Sequence, residues 1–256
     1  MIALKGKIVF ITGASAGIGF ACAKAFAQGG ARMILAARRP DKLRKLAVKM
    51  NHKYQTESYL MELDVRDQKQ VEQKINELPA KWKKIEILVN NAGLSRGLDK
   101  IYQGKLTDWE EMIDTNIKGL LYVSRAVIPG MVARRKGHVI NIGSIAGRQV
   151  YPNGNVYCAT KFAVDALTQG MQIDLVDTPV RVSTVDPGMV ETEFSLVRFH
   201  GDSERAANVY KGVTPLSGDD VAEAVIWVAT RPQHVNVHQV LIMPTDQAAA
   251  TIVNRK

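Results

Sequence analysis

Apolar residues follow two alternating patterns along this chain. Seven short apolar runs, many of them β-branched, have the length of buried strands: 7–12, 31–37, 57–63, 85–89, 137–143, 180–185 and 239–243. Between them lie segments with apolar positions at helical spacing: 20–28, 41–50, 68–82 (interrupted late by Pro79), 107–135, a stretch beginning near Val156, and 219–230. This alternation predicts an α/β fold with a doubly wound, seven-stranded parallel sheet. No linker, repeat or low-complexity segment interrupts it, so we expect 1–256 to form a single domain.

Two segments depart from these patterns. The helix over 107–135 opens with Thr107-Asp-Trp-Glu110, which fits a capping box, and it contains Asn116, a mildly poor helix former. The segment 189–212 has no clean period. A loop of that length in a compact domain is often an active-site lid, so we expect a substrate loop there.

Composition narrows the class of protein. The chain has 256 residues, is 46% hydrophobic, and carries a formal net charge of +9. Much of the positive charge falls in one segment: Arg38, Arg39, Lys42, Arg44, Lys45, Lys49 and Lys53. No nucleic-acid-binding motif or aromatic interleaving accompanies it, so a solvated helix face and a small anionic ligand are favoured over a nucleic acid.

Cellular location follows from what the sequence lacks. No apolar run approaches the length of a membrane span, and Met1–Lys7 has no signal-peptide anatomy. Cys22 and Cys158 fit neither a metal site nor a disulfide framework. We therefore expect a cytoplasmic protein with no bound metal and no membrane partner.

A glycine-rich turn follows the first strand. Gly13, Gly17 and Gly19 would let the backbone approach a phosphate at the start of the next helix. Their spacing differs from G-x-G-x-x-G, and by themselves they also fit an ordinary tight connection.

The second strand ends in Arg38-Arg39, where an NAD-binding fold would have an acid for the ribose. Arginine at that position favours NADP, although either side chain also fits an exposed charge.

A hydroxyl, a phenol and an ammonium come close together in the sequence. Ser144 is expected at a strand end, and Tyr157 and Lys161 are four residues apart on the following helix, so they share a face. A free phenol has a pKa near ~10, and a nearby ammonium would lower it. The three groups could hold a carbonyl and give it a proton; a surface Tyr and Lys on an ordinary helix is the alternative.

Together these motifs resemble the short-chain dehydrogenase/reductase family over nearly the whole chain. The matching segments are Thr12–Gly19, Asn90–Gly93, Asn116, Ser144, Tyr157–Lys161, and Pro187-Gly188 with Thr192. The resemblance implies a Rossmann fold, hydride transfer between a hydroxyl and a carbonyl, NADP(H) as cofactor, a small-molecule substrate and a homotetramer.

The resemblance also implies roles for single residues. Tyr157 would be the acid/base and Ser144 would polarise the substrate oxygen. Lys161 would lower the pKa of Tyr157 and hold the nicotinamide ribose, and Asn116, through its main chain, would hold a proton-relaying water. Asp64 would contact adenine, Asn91 the ribose on that side, and Val190 with Thr192 the carboxamide. The cofactor-binding set is Gly13, Ser15, Ala16, Gly17, Ile18, Gly19, Arg38, Arg39, Asp64, Val65, Asn91, Ala92, Gly93, Tyr157, Lys161, Pro187, Gly188, Val190 and Thr192.

A narrower resemblance is to the NADP-dependent 3-hydroxy acid dehydrogenases. It is carried by 109–116, 119–130, 155–157, 192–199 and 232–236, and implies a substrate such as serine, L-allo-threonine or 3-hydroxypropionate. The alternatives are a 3-oxoacyl-carrier-protein reductase, another carbonyl reductase, or a non-catalytic NADP-binding regulator. The candidates for the substrate carboxylate are Arg198, Arg148 and Arg96, of which Arg198 is favoured because it lies within the matching part of 189–212.

Overall fold

Seven parallel strands form one sheet at the centre of the structure, a computed structural model that describes residues 4–256. The N-terminal stretch Met1–Lys7 is predicted to have no signal peptide, and its first three residues lie outside the described residues. The strands are β1 (Ile8–Thr12), β2 (Arg32–Ala37), β3 (Ser58–Glu62), β4 (Ile85–Asn90), β5 (Gly137–Ile142), β6 (Val180–Pro187) and β7 (Gln239–Ile242). Their order is β3-β2-β1-β4-β5-β6-β7. The predicted doubly wound, seven-stranded parallel sheet is confirmed.

Nine α-helices accompany the sheet over the described residues. They are α1 (Gly17–Gln28), α2 (Pro40–Tyr54), α3 (Gln68–Asn76), α4 (Leu106–Ile113), α5 (Leu120–Ala133), α6 (Asn155–Asp174), α7 (Phe194–Arg198), α8 (Ser203–Asn208) and α9 (Gly218–Ala229). Residues of α1, α2 and α9 join one core cluster, residues of α3 and α5 join a second, and residues of α4 and α6 join a smaller third cluster. The inner strands β1, β5 and β6 are buried throughout because helices cover both faces of the sheet.

The predicted long helix over 107–135 is divided in two. A π-helical segment, Asp114–Gly119, separates α4 from α5 and contains Asn116. The predicted capping box at Thr107 is wrong: α4 begins at Leu106 with Lys105 as its N-cap, and no side chain caps it. The N-cap lies two residues earlier than predicted, which puts Thr107 inside the first turn, where it is not placed to cap.

The segment 189–212 is more ordered than its sequence pattern predicts, since it contains α7 and α8. Backbone hydrogen bonds join it to neighbouring loops: Gly97 N donates to Arg198 O at 2.9 Å, and Leu216 N to Met189 O at 2.9 Å. The predicted helix over 68–82 also differs, because α3 ends at Asn76 and a short 3₁₀ turn, Ala80–Trp82, follows Pro79. No helix within residues 4–256 combines the length and apolar character that a membrane crossing requires.

Candidate active site

A cleft opens at the carboxyl ends of the strands, beside the point where the strand order reverses between β1 and β4. Nearly all of the predicted cofactor and catalytic residues line it. Those residues are Gly13, Ser15, Ala16, Gly17, Ile18, Arg38, Arg39, Asp64, Val65, Asn91, Ala92, Gly93, Ser144, Tyr157, Lys161, Pro187, Gly188, Val190 and Thr192. The fold thus brings segments distant in sequence into one cleft.

The glycine turn forms one end of the cleft. Gly13 and Gly17 have φ of 65° and 54°, in the left-handed region that favours glycine. Gly19 lies behind the turn, where a Cβ would come within 2.4 Å of both Asn91 Nδ2 and Gly13 O. Asn91 Nδ2 donates to Thr12 O at 2.9 Å, so its side chain positions the turn. The turn and the start of α1 form a cradle that fits a dinucleotide phosphate.

Cations surround the end of β2. Arg39 Nη2 donates to Ser15 Oγ at 3.1 Å, and its Nη1 lies 2.9 Å from a carboxylate oxygen of Glu193. Arg38 Nη1 lies 3.8 Å from Glu111. The strand itself ends in Ala37 and offers no acid to a ribose hydroxyl. This charge pattern fits a dinucleotide that carries a 2′-phosphate.

The predicted adenine contact, Asp64, is held by its neighbour. Arg66 Nη2 lies 2.6 Å from Asp64 Oδ2. Burial acts to raise the pKa of Asp64, but the hydrogen bonds and charge of Arg66 hold it below its usual value. Asp64 is therefore an anion at neutral pH; it lines the cleft, and both of its oxygens accept from Arg66.

Ser144, Tyr157 and Lys161 meet at the other end of the cleft. Ser144 Oγ accepts from Ala146 N at 3.1 Å, which holds it at the start of a short 3₁₀ turn, Ile145–Gly147. Lys161 Nζ donates to Ile142 O at 2.9 Å, and it lies 6.0 Å from the centroid of the Tyr157 ring. The side chains of Tyr157 and Lys161 are both buried.

The electrostatics of this group differ from those the sequence predicts. Burial raises the pKa of the Tyr157 phenol above its ordinary value, and the nearby Tyr151 acts in the same direction; the Arg198 guanidinium and the Ser144 hydroxyl lower it. Arg198 Cζ lies 5.3 Å from the Tyr157 ring centroid, closer than Lys161 Nζ. Burial lowers the pKa of Lys161 to about 8, while the charge of Asp186 opposes that effect. Arg198 thus acts on the phenol in the way that was expected of Lys161.

Asn116 uses its side chain to support the cleft wall. Its Oδ1 accepts from Leu94 N at 2.9 Å, and its Nδ2 donates to Leu94 O at 2.8 Å and to Thr160 Oγ1 at 3.0 Å. Thr160 in turn donates to Tyr157 O at 2.7 Å. The π-helical segment therefore ties the wall after Gly93 to the helix that carries Tyr157.

The three candidate arginines lie in different surroundings, and none belongs to the described residues that line the cleft. Arg148 is paired with Asp165 at 2.6 Å and Asp186 at 3.1 Å. Arg96 is paired with Glu111 at 2.6 Å and donates to Val197 O at 2.5 Å. These pairs hold Arg148 and Arg96 away from the position expected of a substrate ligand.

Arg198 lies directly behind the cleft wall. It donates to Ser95 Oγ at 3.1 Å and to Tyr151 OH at 2.7 Å, and it stacks among the rings of Tyr151, Tyr157 and Phe194. Tyr151 was missed as a site residue because only the tertiary structure brings its hydroxyl to Arg198. Glu193 and Thr115, which line the cleft, were missed as well.

The fold and this cleft define a dinucleotide-binding α/β protein with a serine, a tyrosine and a lysine at the substrate end. The chain belongs to the short-chain dehydrogenase family, whose model, described as short chain dehydrogenase, matches residues 7–201. It is 47% identical over 244 residues to an NADP-dependent 3-hydroxy acid dehydrogenase of Salmonella typhi, covering 95% of this chain and 97% of that one. It is 42% identical over 257 residues to an NADP-dependent 3-hydroxy acid dehydrogenase of Schizosaccharomyces pombe, covering 100% and 99%.

A solved structure gives the same picture. The closed form of serine dehydrogenase complexed with NADP+ superimposes with a TM-score of 0.91 at 45% identity, covering 97% of this chain and 100% of that one. These similarities extend over the cleft and the 189–212 segment alike.

Proposed function

We propose that this chain is an NADP-dependent dehydrogenase that interconverts the hydroxyl and carbonyl forms of a small 3-hydroxy acid, such as serine, L-allo-threonine or 3-hydroxypropionate. The observation that carries the proposal is the position of Arg198. This cation belongs to the segment 189–212, which is expected to close over the substrate, and it lies beside the buried phenol of Tyr157. The named activities of the similar proteins support the same substrate class.

NADP fits the residues of the cleft. The glycine turn and the start of α1 would hold the pyrophosphate, Arg38 and Arg39 the 2′-phosphate, and Asp64 with Val65 the adenine. Lys161 would hold the nicotinamide ribose, and Val190 with Thr192 the carboxamide. The bound cofactor supplies the hydride acceptor for alcohol oxidation and the donor for carbonyl reduction.

The protein's own residues move the proton. The Tyr157 hydroxyl gives its proton to the carbonyl oxygen during reduction, and the phenolate left behind is the form that takes the hydroxyl proton during oxidation. Ser144 donates a hydrogen bond to the same oxygen and orients it. The positive charge of Arg198 favours the phenolate, whereas burial favours the neutral phenol. Asn116 would relay protons through a water held by its main chain.

We assign Arg198 to the substrate carboxylate. Its Nε and Nη2 donate to Ser95 and Tyr151, which fixes the guanidinium plane, while no described residue accepts from Nη1. A charge-assisted hydrogen bond from Nη1 would hold the carboxylate while the 3-hydroxyl reaches Tyr157. Arg148 and Arg96 are occupied by carboxylates and stay structural.

The test is a substrate panel on Arg198→Met, assayed with NADP+ and with NAD+. The variant keeps much of the side-chain length and removes the charge, so KM for serine should rise at least ~10-fold, because a charge-assisted hydrogen bond contributes about 1.5–3 kcal/mol. KM for a neutral alcohol of similar size should be spared, whereas kcat should fall for both substrates because the Tyr157 phenol loses a neighbouring positive charge. Arg205→Met, in the exposed part of the same segment, is the matched control and should leave both substrates unchanged. An equal rise in KM for the charged and the neutral substrate would mean that Arg198 does not bind the carboxylate. A 3-oxoacyl thioester on a carrier protein belongs in the panel as the alternative substrate.

We further propose a cytoplasmic homotetramer. The edge strand β7 has one unpaired side in the described chain, and Leu241 and Trp227 near it are 48% and 49% exposed. Apolar side chains at an open sheet edge favour association with a second copy. Sedimentation analysis of the purified protein gives the mass directly, and a monomer would contradict this assignment.

A further inference from the structure

An acidic side chain from the 189–212 segment lies among the cations at the end of β2. One carboxylate oxygen of Glu193 is 2.9 Å from Arg39 Nη1, and the other is 2.6 Å from Lys42 Nζ. Glu193 also lines the cleft, immediately before α7. Arg39 is one of the two arginines assigned to the 2′-phosphate of NADP, so a carboxylate already pairs with a cation that would bind the phosphate.

We propose that Glu193 competes with the 2′-phosphate for Arg39 and Lys42, and that Lys42 is a further cation of the phosphate site. Binding of NADP would exchange the carboxylate of the 189–212 segment for the phosphate. Cofactor binding would thereby release the start of that segment from α2. The inference rests on the NADP preference proposed above, and names residues that control it.

The two acidic residues near the phosphate site differ in what holds them. Glu111 faces Arg38 at 3.8 Å, but it also pairs with Arg96 at 2.6 Å and Arg66 at 3.5 Å. It therefore keeps partners when a phosphate takes Arg38.

Glu193 differs from Glu111 because it has no further cationic partner among the described residues. Its ion-pair partners among the described residues are Arg39 and Lys42 alone. A phosphate carries up to two negative charges and a carboxylate carries one, so the phosphate binds both cations more strongly. The displaced carboxylate is then repelled by the neighbouring dianion. NAD lacks the phosphate and would leave the pairs with Glu193 intact. The contact thus links cofactor identity to the position of the segment.

The binding of two cofactor fragments measures the effect of the 2′-phosphate without any hydride transfer. Adenosine 2′,5′-bisphosphate carries the 2′-phosphate, adenosine 5′-monophosphate does not, and titration calorimetry measures Kd for both without turnover. In Glu193→Gln the bisphosphate should bind about three- to tenfold more tightly, the scale expected when two exposed ion pairs no longer compete. The monophosphate should change by less than about twofold. Glu191→Gln removes the same charge two residues away, from an exposed side chain without an ion pair in the described chain, and should alter neither Kd.

Lys42→Gln tests the second half of the proposal. This substitution should weaken binding of the bisphosphate about three- to tenfold and leave binding of the monophosphate unchanged. Lys45→Gln, about one helical turn further along α2, should change the binding of neither fragment. In a double variant the effect of Glu193→Gln should shrink, because one of the contested cations is gone. Unchanged or weaker bisphosphate binding in Glu193→Gln overturns the proposal, as does equal tightening of both fragments, which would mean a general block of the nucleotide site. Since the fragments bind without substrate, this result is independent of whether a 3-hydroxy acid is oxidised.

Discussion

Replacing Asn116 by alanine removes three hydrogen bonds at the wall of the cleft. The side chain is 2% exposed, and it bonds both the N–H and the C=O of Leu94, a residue that is 4% exposed. Thr160 keeps its own acceptor, Tyr157 O, so the two backbone groups of Leu94 are the ones left without a partner.

The cost follows from those two groups. A buried polar group without a partner costs about 1–3 kcal/mol, so we expect Asn116→Ala to lower the free energy of unfolding by about 2–6 kcal/mol. The loss of alignment between Leu94 and the helix that carries Tyr157 should also lower turnover in the protein that remains folded.

Urea unfolding at one fixed protein concentration measures the stability change, because any oligomer makes the midpoint depend on concentration. Asn51→Ala is the control: the same substitution at an exposed position near the end of α2 should change stability by less than about 0.5 kcal/mol. If Asn116→Ala is destabilised by no more than that control, the side chain is not what holds the wall.

Three further predictions concern the proton and the cofactor. Tyr157→Phe should lower turnover at least ~100-fold, the scale of lost acid-base catalysis, with NADPH affinity little changed in a fluorescence titration; near-normal turnover would refute the proton assignment. In the native enzyme the rate of alcohol oxidation should rise with pH up to the pKa of the phenol, since oxidation needs the phenolate and burial keeps that pKa high. Arg38→Asp should move the ratio of kcat/KM values from NADP towards NAD, because aspartate repels the 2′-phosphate and accepts from a ribose hydroxyl. A native enzyme that uses both cofactors equally well would contradict the role of Arg38.

The architecture could be read from the sequence because the signals for it are local. Strand runs buried on both faces stay apolar throughout, and helices show one apolar face, so the order of elements is visible from neighbouring residues alone. The glycine turn at 13–19 and the four-residue spacing of Tyr157 and Lys161 are local as well. Their resemblance to a known family then indicated the cleft and its cofactor.

The partners of the charged and polar side chains were decided only by the tertiary structure. Arg39 meets Glu193 across 154 residues of chain, Arg198 meets Ser95 across 103, and Asn116 meets Leu94 across 22. The π-helical segment that contains Asn116 also could not be predicted from the helical periodicity, which indicates one uninterrupted helix. Whether an arginine binds a substrate, neutralises a carboxylate or changes the pKa of a phenol depends on which elements pack beside it. That information lies in long-range contacts and burial, which set both the local charge and the cost of desolvation.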